Sequence, residues 1–233
     1  MNLKRISAIL ATSALVAAGG IAIAQDKSGE NVAIESAGAP GVVADFSVAQ
    51  KLYQWGVAHD SAVAVAAAAE MLKSIDVKDV EREVKQAATE GADTAETGEG
   101  VDAPVDLATM LAKAKELASG DDEMLAMIDD IEAESSKGRI GGASRTLSRL
   151  PAGYNDTYQI PYYGNSFAEL AVVGDGDSNL DLLVTDENGN RICYDVSGSD
   201  QLYCSWTPRW DGYFIVTVSN VGRVRNSYYL LTN

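Results

Sequence analysis

The chain has 233 residues, with 34 acidic against 18 basic side chains and a formal net charge of −16. That length allows one large domain or two small ones. The negative field excludes nucleic acid and anionic lipid as partners, because both require a basic surface. The acidity lies early: residues 25–144 hold 24 Asp and Glu against 10 Lys and Arg, and residues 145–233 only 10 against 6.

Lys4 and Arg5 precede a short apolar run at 6–16, Gly19-Gly20 break it, and Ala22-Ile23-Ala24 fits a small-x-small cleavage site. Residues 1–24 therefore read as a bacterial Sec-type signal peptide, removed to leave Gln25 first. A membrane anchor would need about 20 continuous apolar residues. The expected address is periplasmic or secreted, with no membrane span after cleavage. Residues 25–44 mix Gly, Ser, Ala, Pro and isolated charges without apolar rhythm, and read as a flexible spacer.

Residues 45–136 read as helical. Phe46, Ala49, Leu52, Tyr53 and Gly56 share one helical face, and Asp60 is placed to cap a second helix with an Ala-rich core. Val77, Val80, Val84 and Ala87 continue the period, and a glycine-rich acidic stretch at 89–101 reads as a mobile loop. The stripe resumes with Leu107, Met110, Leu111, Ala114 and Leu117, stops at Gly120, and restarts with Met124, Ile128 and Ile131. Paired antiparallel helices resemble the hairpins of TPR-type repeats, without a fixed period.

Residues 137–151 read as a Gly/Ser/Arg-rich linker. From 152 to 233 the rhythm changes to period two. Strands are expected at 157–162, 167–173, 180–185, 191–194, 202–206, 212–218 and 227–231, with Leu180, Leu182, Val184, Phe214, Val216, Val218, Tyr228 and Leu230 pointing inward. Asn188-Gly189 marks a two-residue hairpin with both residues at positive φ. The predicted class is α+β in two parts: helical hairpins, then a jelly-roll-like antiparallel β-sandwich. Trp206 and Trp210 read as corner packing, and His59, the only histidine, as a surface or capping residue.

Gly174-Asp-Gly-Asp-Ser-Asn-Leu-Asp-Leu182, Asp186-Glu-Asn-Gly-Asn190, Trp206-Thr-Pro208 and Asp211-Gly-Tyr-Phe-Ile-Val-Thr-Val218, in that order, resemble the bacterial pre-peptidase C-terminal domain. The resemblance covers 152–233 and implies a small β-sandwich appended to exported proteins, some of which bind calcium, and collagen or polysaccharide. A helical region stands where that family has a large catalytic domain.

Asp175, Asp177, Asn179 and Asp181 alternate at every second position, and Asp186 falls where a twelve-residue loop places its last ligand. Hard oxygen donors at that spacing suit Ca²⁺. The alternative is that these side chains cap the loop's own amides, above all Asp181 inside its strand. Cys193 and Cys204, the only cysteines, are expected to be bonded to each other after export. A metal or redox site is the alternative, but CxxC spacing and a nearby histidine are missing. No HExxH, Gly-x-Ser-x-Gly or Walker signature occurs, so no enzyme activity is expected. The sequence thus predicts an exported non-catalytic binding protein that recognises a partner protein, polysaccharide or other envelope or extracellular polymer. The alternative is an accessory or inhibitory module of an exported hydrolase.

Overall fold

The computed structural model describes residues 27–33, 38–95, 97–133 and 142–233. The expected signal peptide lies outside the described residues. Helices α1 (Val42–Ala58) and α2 (Ala62–Lys73) are followed by short strands β1 (Val77–Asp79) and β2 (Lys85–Ala88), then by α3 (Leu107–Leu117) and α4 (Asp122–Ala133). Eight strands complete the chain: β3 (Ala143–Leu150), β4 (Tyr154–Tyr162), β5 (Ala168–Val173), β6 (Leu180–Asp186), β7 (Arg191–Asp195), β8 (Gln201–Trp206), β9 (Gly212–Asn220) and β10 (Asn226–Thr232). The first sheet has the order β1-β3-β10-β5-β8 and the second β2-β4-β9-β6-β7. All pairings are antiparallel except β1 with β3. This is the expected α+β arrangement of helices and β-sandwich.

Period-two alternation builds the core. Tyr158, Ile160, Leu180, Leu182, Val184, Phe214, Val216 and Val218 of the second sheet meet Leu170, Val172, Leu202, Tyr228 and Leu230 of the first. Every residue expected to point inward does so. The first sheet is buried on its other face too: Ala143, Ala171, Val173 and Leu231 pack against Val43 and Phe46 of α1. Behind α1, the alanines of α2 let it approach its neighbours closely; Val65, Ala66, Ala68 and Ala69 share a core with Met110, Leu111, Ala114, Ile128 and Ile131. The order is helices, first sheet, second sheet, which leaves the outer face of the second sheet open.

Several expectations are corrected. The period through Val77 and Val84 is not helical: β1 and β2 are strands, one joining each sheet. Both are short edge strands with little buried surface, so no alternation marks them. Residues 143–150 are not linker but β3, paired along its length with β10. Its polar side chains gave no apolar rhythm, because they bond to other polar groups: Ser144 and Thr146 accept from Arg82, and Ser148 donates to Asp156. Within the acidic loop, the Thr97 N–H donates to the Arg223 carbonyl and Arg225 to the Gly100 carbonyl. Ser61, not Asp60, caps α2. Within the expected spacer, Asn31 is fully buried against the sandwich and α1 already begins at Val42.

Cys193 and Cys204 form a disulfide with Cα atoms 6.1 Å apart. Although successive in sequence, β7 and β8 are edge strands of opposite sheets. The bridge therefore staples the sandwich shut along one side. Across the molecule, the segment between β1 and β2 closes the other side. There the Arg82 guanidinium donates to Ser144, Thr146, the Leu230 carbonyl and Thr232 of the first sheet.

Candidate functional site

The five residues singled out for calcium do not form one donor set. Asp175 and Asp177 stand beside Asp200 at one end of β6, while Asp186 closes the other end. Seven strand residues separate them by roughly 20 Å. Asp175 accepts from the amides of Ser227 (2.7 Å) and Asp177 (3.1 Å), and Asp177 from the Val101 amide (2.9 Å). Burial pushes the Asp175 carboxyl up to about 6 against the pull of those two amides, and the charges of Asp177 and Asp200 add to the rise. Asn179 holds the Val221 amide through its backbone carbonyl. Asp181 sits on β6, raised by burial and then by Asp195.

Asp186 is a turn cap. Its Oδ1 accepts from the amides of Asn188 (3.0 Å) and Asn190 (2.9 Å), and its Oδ2 from the Asn31 amide (2.9 Å). Burial works to raise this carboxyl, but those bonds and the Asn190 side chain hold it below the usual range. Among the described residues no group of three or more His, Cys, Asp or Glu is arranged to hold a metal. The loop aspartates that are engaged spend their oxygens on amides. The turn also differs from expectation. Only Gly189 takes positive φ (82°), and the Asp186 amide bonds to the Asn190 carbonyl, giving a three-residue loop rather than two.

The more distinctive feature lies at this same end of β6. A cavity of about 440 Å³ is lined by Lys27, Pro161, Tyr162, Tyr163, Glu187, Asp211, Gly212 and Tyr213. Strand alternation explains its composition. On β9, Phe214 points into the core and Tyr213 outward; on β4, Tyr162 points in and Pro161 outward. Pro161 and Tyr213 are register partners on the outer face of the second sheet. Tyr213 is 52% exposed and Tyr163, just past the strand, 78% exposed. Beneath them Tyr162 packs edge-on against Trp206 and Phe214, which makes the floor rigid.

Two contacts fix the rim. The Gly164 amide donates to Asp211 Oδ1 at 2.7 Å, and a Cβ at Gly164 would lie 2.6 Å from Trp210 Cα, so the turn needs glycine. The N-terminal segment supplies the second contact. Asn31 Oδ1 accepts from the amides of Arg209 (2.8 Å) and Trp210 (3.0 Å), and its Nδ2 donates to the Trp210 carbonyl (3.1 Å). Trp210 Nε1 then donates to Glu187 Oε1 at 2.6 Å, aligning that carboxylate along the cavity wall. Lys27 Nζ donates to the Asp211 carbonyl.

None of these lining residues was singled out as a site residue, although Glu187, Asp211, Gly212 and Tyr213 lie within the motifs at 186–190 and 211–218. A further signal was the run Pro161-Tyr162-Tyr163, three large groups at the end of a strand. The expected corner packing of Trp206 and Trp210 holds, since both are buried. His59 is exposed at the end of α1, stacked on Trp55.

No protein-family model matches the chain, and no curated protein does. Among solved structures, the Yersinia pseudotuberculosis-derived mitogen is similar at 13% identity and TM-score 0.29, over 40% of this chain and 86% of that one. The pre-peptidase C-terminal domain of collagenase from Bacillus anthracis is similar at 7% identity and TM-score 0.27, over 68% of this chain and 96% of that one. At those values neither neighbour assigns a family or an activity.

Proposed function

We propose that this is an exported, non-catalytic binding protein whose β-sandwich, of the pre-peptidase C-terminal type, recognises an envelope or extracellular polymer. The helical layer covers and stiffens the first sheet and leaves the second free to bind. The observation that carries the reading is the cavity framed by the exposed rings of Tyr163 and Tyr213. Exposed aromatic rings beside fixed polar groups are what a binding site for a partly apolar, partly hydrogen-bonding ligand requires. Export is supported by residues 1–24 and by a disulfide of the kind that persists in oxidising compartments.

The test is a binding panel of soluble polysaccharides and envelope proteins, read by calorimetry. Tyr163→Ala with Tyr213→Ala should weaken capture of a polysaccharide about tenfold or more, since each stacked ring contributes about 1 kcal/mol. The melting temperature should hardly change, because both rings are exposed. Polysaccharide binding that is indifferent to both tyrosines would refute the site.

A further inference from the structure

A second cavity of about 340 Å³ borders the first and is lined by Arg82, Glu83, Tyr158, Gln159, Ile160, Pro161 and Tyr213. Pro161 and Tyr213, the register pair on the outer face, belong to both cavities. The second cavity exists because β2 pairs with β4 only over Tyr154–Thr157, so the rest of that β4 edge has no strand partner among the described residues. Pro161, which has no N–H to leave unpaired, suits that open edge. Resting on the reading above, we propose that the two cavities form one groove for a neutral, hydroxyl-rich polymer, with Tyr213 as the ridge between two subsites.

The polar groups decide the ligand chemistry. Side chains with spare acceptor capacity are Glu187 and Asp211 in the first cavity and Glu83 and Gln159 in the second, where the Gln159 amide can also donate. Glu187 and Asp211 accept from Trp210 Nε1 and the Gly164 amide, and each carboxylate keeps lone pairs free. Of the cations, Lys27 spends one N–H on the Asp211 carbonyl at the wall of the first cavity, and Arg82 gives its hydrogen bonds to Ser144, Thr146, Leu230 and Thr232. A groove rich in acceptors fits hydroxyl donors. The net charge of −16 repels polyanions. Successive sugar rings offer what remains, hydroxyl edges for the carboxylates and C–H faces for Tyr163 and Tyr213.

The experiment is calorimetric titration of the full chain with cello- and chito-oligosaccharides of one to six units. The groove requires affinity to rise about tenfold as the chain grows long enough to cross Tyr213, a gain of one stacked unit. Glu83→Ala with Gln159→Ala alters only exposed side chains and should abolish that rise while leaving short-chain affinity intact. Affinity independent of length, yet lost in Tyr163→Ala, overturns the second subsite and leaves the cavity reading standing. No binding of either ladder at any length overturns the groove, while the wider panel of polysaccharides and envelope proteins decides the cavity reading.

Discussion

Asn31 is the residue on which the site depends most. It comes from a segment whose sequence carries no apolar signal, yet it is fully buried and bonds to both turns that frame the cavity. Asn31→Ala would leave the Arg209 and Trp210 amides without their acceptor, at about 1–3 kcal/mol for each unsatisfied buried group. Urea unfolding should show a loss of about 3 kcal/mol. A variant within 0.5 kcal/mol of the parent, allowing for about that much scatter at neutral surface sites, would refute the latch. Asp175 makes a different prediction. Its folded pKa, about 6, lies above the ordinary 3.8 because of burial, so the folded state holds this proton more tightly than the unfolded chain. Its contribution to stability is complete below the ordinary value and is lost as pH rises through about 6. Asp175→Asn, which keeps an oxygen for the Ser227 amide, should flatten the fall in melting temperature across that window. Parallel pH profiles for parent and variant would count against it.

At the scale of elements, the disulfide is the clearest case for measurement. It links β7 and β8, edge strands of opposite sheets, across a loop of about 12 residues, worth about 3 kcal/mol in the chain-entropy account. Replacing Cys193 and Cys204 by serine should lower stability by about that amount, and neither thiol of the unreduced protein should react with an alkylating reagent. Alkylation of both before reduction would contradict the bond. The same scale shows what the sequence made legible. Most strands from β4 to β10 were readable because one face lies in a shared core, which imposes period two, while β5, buried at every position, reads as a short apolar run. β1 and β2 were not, since an edge strand of three or four mostly exposed residues has no face to alternate. β3 was hidden for another reason: its hydroxyls answer Arg82 and Asp156, so polar residues fill a position that patterning reserves for apolar ones. The cavity shares this illegibility. Tyr163, Glu187, Asp211 and Lys27 come from three separate loops and the N-terminal segment, and only register brings them together.

For the whole molecule, the decisive property is that the sandwich does not end where its seven readable strands end. The first sheet is buried on both faces, and β5 is buried at all six positions. Its outer residues Ala171, Val173 and Leu231 are covered by Val43 and Phe46 of α1. A fragment of residues 142–233 keeps the strands from β3 to β10 and the disulfide. It loses β1 and β2 from the edges, Arg82 from between the sheets, Asn31 from the turns, and the helical cover. An uncovered apolar sheet face of this kind promotes association. The fragment should therefore elute as aggregate in size-exclusion chromatography, bind a hydrophobic dye, and unfold without a sharp transition. Adding back residues 27–133 as a separate chain should suppress dye binding, if the helical layer and the N-terminal latch act by covering surface. A monomeric fragment with cooperative unfolding and no dye binding would show instead that the sandwich is self-sufficient. The helical layer would then owe its place to something other than the stability of the fold.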